Sequence, residues 1–193
     1  RGETITDIAR RAKNLIVHFK SGKLLLVHLK MTGQLVYAER GKSLADGGRP
    51  NKLTGIELPN QHTHIIFELS RGTLYYNDPR KFGYLLYYPN LKKLEATGHF
   101  KEIGLDPLDR EFTLKRFAQV LKERKGRLKT ELMSQKIVGG VGNIYSDEVC
   151  FTARVRPTRN TRSLKRGEAD ALYRAIKTTL RRAIRLGGSS VVN

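Results

Sequence analysis

The chain has 193 residues, 39% of them apolar, enough for one large core or two small ones and too many for disorder to be the default. Its 37 Lys and Arg face 18 Asp and Glu, a formal charge of +19 that exceeds what solubility requires and implies a polyanionic partner. No stretch is apolar for long enough to span a bilayer, no secretory signal pattern is seen, and the single cysteine, Cys150, excludes an internal disulfide or a zinc site of paired cysteines within the chain.

The first half predicts strands. Residues 14–19 and 23–29 flank the polar turn Lys20-Ser21-Gly22, a hairpin signal, and 34–38 continues in the same style. A polar, glycine-bearing loop is expected over 39–51. Strands follow at 64–69 and 73–76, joined through Ser70-Arg71-Gly72, and at 84–88. Short strands with one face each to bury predict a sandwich or small barrel.

From about residue 90 the apolar spacing changes to three and four. Leu114, Phe117, Val120 and Leu121 define an amphipathic helix over 113–125, with Thr113 as its N-cap. Helices are also expected over 128–136 and 143–152, and a long one over 164–186. The last carries Leu172, Ala175, Ile176, Leu180, Ala183 and Ile184 on one stripe, with Ser163 as N-cap and Gly187-Gly188 as the stop. Strands before helices mean an α+β chain: a partial N-terminal β-sandwich over 1–95, a linker over 96–110 and an all-helical domain over 111–193. The start at Arg1 without a methionine, and a stop at Asn193 that composition does not motivate, read as a piece of a longer protein.

Four segments carry chemistry. Gly139-Gly140-Val141-Gly142-Asn143 lies between two helices; glycines let the backbone approach a bulky group closely, and the following helix offers unpaired N–H groups to an anion. On a +19 chain this reads as a clamp for nucleic-acid phosphate rather than as a tight turn alone. Asn77-Asp78-Pro79-Arg80-Lys81-Phe82-Gly83 is a turn after a strand, but if extended it projects Arg80, able to read a base edge, beside Phe82, able to stack. Met31 follows a strand with His28 at its end; core packing is the commoner use of such residues, although an unbranched apolar side chain also slides readily between bases. Arg10-Arg11-Ala12-Lys13 is a basic cluster at a strand entrance. The alternating His62 and His64 have no third ligand nearby, so a structural role outweighs a metal site.

Residues 135–151, followed by Arg156-Pro157 and Gly187-Gly188-Ser189-Ser190, resemble the helix-two-turn-helix module of formamidopyrimidine-DNA glycosylases and endonuclease VIII, with Ser134 where the family pattern has aspartate. Segments 27–35 and 77–83 resemble the same family in order, and 77–83 has the form that oxidised-purine enzymes use. The resemblance implies that Lys13, His28 and Asn143 contact DNA phosphates, with Lys129 a weaker candidate; that Met31 fills the gap left by an evicted base; and that Arg80 and Phe82 contact the orphaned partner base. It further implies a base-excision glycosylase for oxidised purines (8-oxoguanine, formamidopyrimidines) with AP lyase activity in the full-length parent. That parent would be a cytoplasmic, nucleoid-associated bacterial enzyme acting as a monomer on double-stranded DNA, away from membranes. The family's catalytic N-terminal proline and glutamate and its C-terminal zinc finger have no counterpart here, so the chain is expected to hold no catalytic residue and no metal, with zinc in the parent only, and to bind DNA weakly at most. The alternatives are a non-catalytic nucleic-acid-binding protein with the same helical module, or an endonuclease VIII-like glycosylase for oxidised pyrimidines.

Overall fold

Alternating apolar side chains give the first half of the chain sheets with one face to bury. The computed structural model describes residues 2–39, 42–48 and 57–188, with only the backbone of 42–48. Strands β1 (Ile5–Arg11), β2 (Asn14–Phe19), β3 (Leu24–His28) and β8 (Tyr84–Tyr88) form one four-stranded sheet in the order β1-β2-β3-β8. Strands β4 (Gln34–Glu39), β5 (Lys42–Gly48), β6 (Thr63–Glu68) and β7 (Thr73–Asn77) form a second in the order β5-β4-β7-β6. Gln34, Val36 and Ala38 on β4 are buried at every second position, and Leu24 and Leu26 on β3 are closed from solvent, as the inner faces of a β-sandwich require.

Two strands differ from expectation. β1 was not foreseen because it is an edge strand whose Ile5 and Ile8 stay exposed, three apart, so no alternating pattern marks it. β5 occupies part of the expected 39–51 loop. Its backbone pairs antiparallel with β4 from Gln34↔Gly48 to Glu39↔Lys42, through a bulge at Tyr37/Ala38, and such ladder bonding needs no apolar side chains.

The second half folds as α1 (Leu91–Ala96), α2 (Leu114–Lys122), α3 (Leu128–Met133), α4 (Asn143–Thr152) and α5 (Arg166–Arg185). Thr113 caps α2 as expected, its hydroxyl accepting from the Arg116 N–H at 3.3 Å. Ser163 does not cap α5. Its hydroxyl donates to the Asn160 carbonyl at 2.8 Å within the short 3-10 turn Thr161–Ser163, and α5 starts later, where Glu168 accepts the Lys165 N–H at 2.8 Å. At the far end Gly187 and Gly188 take positive φ, and the Gly188 N–H closes on the Ala183 carbonyl at 2.8 Å. No helix among the described residues is long and apolar enough to cross a membrane.

The chain divides into two compact units, one built on Asn14–Leu91 and the strand before it, the other on Lys92–Ser189 joined by the hairpin tip Arg11–Lys13. The boundary therefore lies earlier than the expected linker at 96–110. That segment is pinned into the helical unit: the Gly104 N–H donates to Gln135 O at 2.8 Å, Leu105 N–H to Ile137 O at 3.1 Å, and Gly139 N–H to Leu105 O at 2.9 Å. A Cβ at Gly104 would collide with the carbonyls of Lys136 and Ile137, so glycine there permits the close approach.

The helical core centres on Phe117, with Leu128, Leu132, Leu172 and Ile176 also fully buried. Phe112 lies 5.6 Å from Phe117 and 5.0 Å from Tyr173, ring centre to ring centre. Phe117→Ala should therefore destabilise this unit by about 3–5 kcal/mol, and Thr113→Ala by about 1 kcal/mol, read from urea titration of the circular dichroism of the helices. Equal losses for the two would contradict this placement of the core.

Candidate nucleic-acid interface

In the sandwich unit, two turns carry four of the candidate residues. β3 ends at His28, whose ring lies against Tyr84, its cross-strand partner, with centroids 5.4 Å apart. The Lys30 N–H donates to His28 Nδ1 at 3.0 Å, so the ring proton sits on Nε2, which is then a donor. The chain next reverses through Lys30, at φ +51°, and closes with the Gly33 N–H on the Leu29 carbonyl at 2.9 Å. A side chain at Gly33 would run into the Leu29 backbone, which fixes the turn and leaves Met31 on it, 55% exposed.

The second turn follows β7. Lys81 takes φ +56° and its N–H donates to the Asp78 carbonyl at 3.2 Å, so the segment is the turn its sequence suggests and not the extended alternative. Arg80 and Phe82 still converge: the guanidinium carbon lies 4.6 Å from the Phe82 ring centre, and Nη1 reaches Met31 Sδ at 3.6 Å. Phe82 is 53% exposed. Met31, Arg80 and Phe82 thus form one cluster of apolar and cationic surface.

Asp78 holds this cluster from beneath, fully buried. Oδ1 accepts from Thr32 Oγ1 and from the Arg80 N–H at 3.2 Å; Oδ2 accepts from the Gly83 N–H at 2.7 Å and from Tyr76 Oη at 3.2 Å. Burial pushes the carboxyl up, but these donors, Thr32 first and then Gly83, Arg80 and Tyr76, together hold it below the ordinary aspartate value. Because the folded value is the lower one, this anchorage is complete above the ordinary aspartate range and is lost only as pH falls through the depressed value. Tyr76 moves the opposite way, pushed up to about 12 by burial and by the Asp78 charge. His64 is structural, its Nε2 donating to the Asp78 carbonyl at 2.9 Å, and no group of three or more His, Cys, Asp or Glu among the described residues could hold a metal.

In the helical unit, α3 and α4 are joined by a loop that Gln135, at φ +63°, fastens from within. Its Oε1 accepts the Gly140 N–H at 2.8 Å and its Nε2 donates to the Val141 carbonyl at 2.5 Å. A Cβ at Gly139 would come to 3.0 Å of Ala12 Cβ and Ile103 Cγ2, so the loop packs closely there and a side chain would require those neighbours to give by a few tenths of an ångström. Gly142 caps α4 without a side-chain acceptor, leaving the first-turn N–H groups to a ligand or solvent, and Asn143 opens the helix exposed. Lys13 Nζ lies 3.0 Å from where a Gly142 Cβ would stand, so a cation sits at the positive end of the α4 dipole. Such an arrangement favours an anion.

The candidate residues therefore fall into two groups. Met31, Arg80 and Phe82 meet in the sandwich unit with His28 at the end of β3 beside the Met31 turn, whereas Lys13 stands at the glycine turn of Gly139, Gly140, Gly142 and Asn143 in the helical unit. Lys129, the weaker candidate, pairs through Nζ with Asp147 at 2.7 Å and ties α3 to α4. Cys150 is buried and its thiol pushed up to about 11, chiefly by burial. Sequence reasoning missed Asp78, Thr32 and the Gln135 fastening. The Asp-Pro pair after a strand was the available signal for Asp78, since such aspartates accept from the backbone two residues on.

Residues 1–85 match the formamidopyrimidine-DNA glycosylase N-terminal domain, and residues 103–193 the formamidopyrimidine-DNA glycosylase H2TH domain. Formamidopyrimidine-DNA glycosylase from Wolbachia sp. subsp. Brugia malayi is 35% identical over 192 residues, 99% of this chain and 64% of that relative. The enzyme of the same name from Pelotomaculum thermopropionicum is 36% identical over 195 residues, covering 98% and 65%. Among solved structures, the MutM (Fpg) protein from Thermus thermophilus is similar with a TM-score of 0.81 and 36% identity over 99% of this chain and 64% of that one. Lactococcus lactis formamidopyrimidine-DNA glycosylase, non-covalently bound to DNA containing an AP site, gives a TM-score of 0.81 at 31% identity over 97% and 66%. The chain thus spans a little under two thirds of the length of the curated relatives it matches.

Cutting the Gln135 fastening should loosen the glycine turn without unfolding α3 or α4. Gln135→Met is expected to speed hydrogen exchange at the Gly140 amide by roughly tenfold, the worth of one ordinary hydrogen bond, while amides of the buried Val149 and Cys150 keep their protection. Unchanged exchange at Gly140 would contradict it.

Proposed function

The chain belongs to the formamidopyrimidine-DNA glycosylase family, and from that premise we propose that it is the DNA-gripping portion of a base-excision enzyme for oxidised purines in duplex DNA, whose parent also has AP lyase activity. The observation that carries this reading is the cluster in the sandwich unit. An exposed methionine, an arginine laid over a phenylalanine and a supporting buried carboxylate occur together on two adjoining turns, the combination that a base-displacing surface calls for.

In this reading Met31 enters the gap left by the everted lesion nucleotide, Phe82 stacks at the step beside it, and Arg80 uses its planar fork on the edge of the orphaned base. His28 donates through Nε2 to a neighbouring phosphate. The uncapped N–H groups of α4, with Asn143 and Lys13, take another phosphate, and the positive charge draws the chain to DNA along its length. Cleavage of the glycosidic bond and of the strand belongs to the intact parent, acting as a monomer on nucleoid DNA. Zinc finds no donor set among the described residues here, and we assign it to the parent outside this chain.

Fluorescence anisotropy with a duplex containing a stable abasic analogue tests the reading. Asn143→Ala is expected to weaken binding about equally for every base placed opposite the gap. Arg80→Ala should instead cost about 1–3 kcal/mol on the preferred opposite base and flatten the preference. Binding that ignores both substitutions would sink the proposal. Borohydride should trap no covalent adduct between the isolated chain and lesion DNA, and an adduct would show that the chain holds its own nucleophile.

A further inference from the structure

The two turns of the sandwich cluster come from separate parts of the chain, yet one carboxylate serves both. Of its four donors, Tyr76 belongs to β7, the Arg80 and Gly83 amides close the second turn, and only Thr32 reaches in from the turn that carries Met31. Oδ1 is the shared atom, accepting from Thr32 and from the Arg80 amide together, whereas Oδ2 serves Gly83 and Tyr76. On the exposed side the turns also touch where Arg80 Nη1 meets Met31 Sδ at 3.6 Å, a weak contact between two flexible side chains. Thr32–Asp78 is therefore the rigid link. It is buried on the aspartate side, made to a charged acceptor and carried by two short side chains.

We infer that Asp78 is a positioning residue that couples the Met31 turn to the Arg80–Phe82 turn through Thr32, so that gap filling and reading of the opposite base are one event rather than two. This rests on the functional reading above. The physical ground is that a loop free to move independently must be ordered on binding, whereas two turns fixed to one buried anion share a single ordered state. Discrimination by Arg80 would then depend on Thr32, whose hydroxyl is turned to the buried carboxylate.

Thr32 is the informative position, because replacing Asp78 would strand the Tyr76 hydroxyl and two amides and could unfold the turn. Thr32→Val removes only the cross-turn bond and keeps the shape; Thr32→Ser restores the hydroxyl. In the free chain, Thr32→Val is expected to speed hydrogen exchange at the Arg80 and Gly83 amides by roughly ten- to a hundredfold, as for loss of a hydrogen bond to a charged group, and to broaden the motion of the Met31 methyl seen by carbon relaxation, with Thr32→Ser close to wild type. If exchange at Arg80 and Gly83 is unmoved by Thr32→Val, the coupling is wrong whatever the DNA assays give. On abasic duplexes, Thr32→Val should reduce the preference among opposite bases severalfold, and should do nothing further once Arg80→Ala is present. A preference that survives Thr32→Val intact overturns the coupling of recognition. Altered exchange in a chain whose wild type shows no preference among bases would uphold the mechanical link and reject the glycosylase reading instead.

Discussion

An ionised carboxylate withdrawn from water loses hydration worth several kcal/mol, and it keeps its charge only where the surrounding donors replace that hydration. Asp78 meets this condition with four, and each one fixes a piece of structure. Tyr76 locks the end of β7, the amides of Arg80 and Gly83 bend the following turn, and Thr32 sets the turn after β3. Gly83 is glycine for the same reason: a Cβ there would meet the Tyr76 hydroxyl, Asp78 Oδ2 and the His28 carbonyl. The cluster in the sandwich unit is thus arranged around an anion closed from solvent, and the exposed side chains that it positions lie at one remove.

The helical unit solves a related problem with the opposite sign. The Lys13 ammonium is placed beside the start of α4, so a full positive charge stands near the partial positive charge of the helix end. Four acidic residues of this unit pair with other cations: Asp147 with Lys129, Glu102 with Lys136, Glu168 with Arg159 and Asp170 with Arg174. Three of these pairs join different segments of the unit, and Asp170–Arg174 spans one turn of α5. The turn itself does not depend on charge for its shape, since Gln135 is neutral and satisfies one donor and one acceptor of the loop backbone at once.

How much of this was legible in the sequence depended on whether burial left a periodic mark. The strands with a buried face, β2, β3 and β4, and the helix α2 stand where their apolar spacing puts them, because each must hide one side. β1 and β5 left no mark: one is an exposed edge and the other pairs through its backbone, so neither needs apolar alternation. The start of α5 was misplaced because Asn160, Ser163 and Lys165 all lie near it, and which of them ends up as cap is decided by a three-residue 3-10 turn that propensity does not encode. For the site, chemically conspicuous residues such as Met31, Arg80, Phe82 and the glycines were readable one by one. Their supports were not, because Thr32 and Asp78 lie 46 positions apart and only the fold makes them partners.

Exposing a methionine and a phenylalanine by more than half on one small surface leaves apolar area in water that folding would otherwise hide. Their position outside therefore needs a cause. The turn geometry supplies it. Lys30 and Lys81 both occupy the left-handed region, uncommon for residues with side chains, and the backbone is held there by the Gly33 and Asp78 contacts rather than by any preference of the lysines. Relaxing either lysine would turn its loop and carry Met31 or Phe82 away from Arg80. The strain and the apolar exposure therefore have one origin, the two turns that hold Met31, Arg80 and Phe82 together at one edge of the sandwich unit, and in the reading proposed above that edge is ordered before DNA arrives.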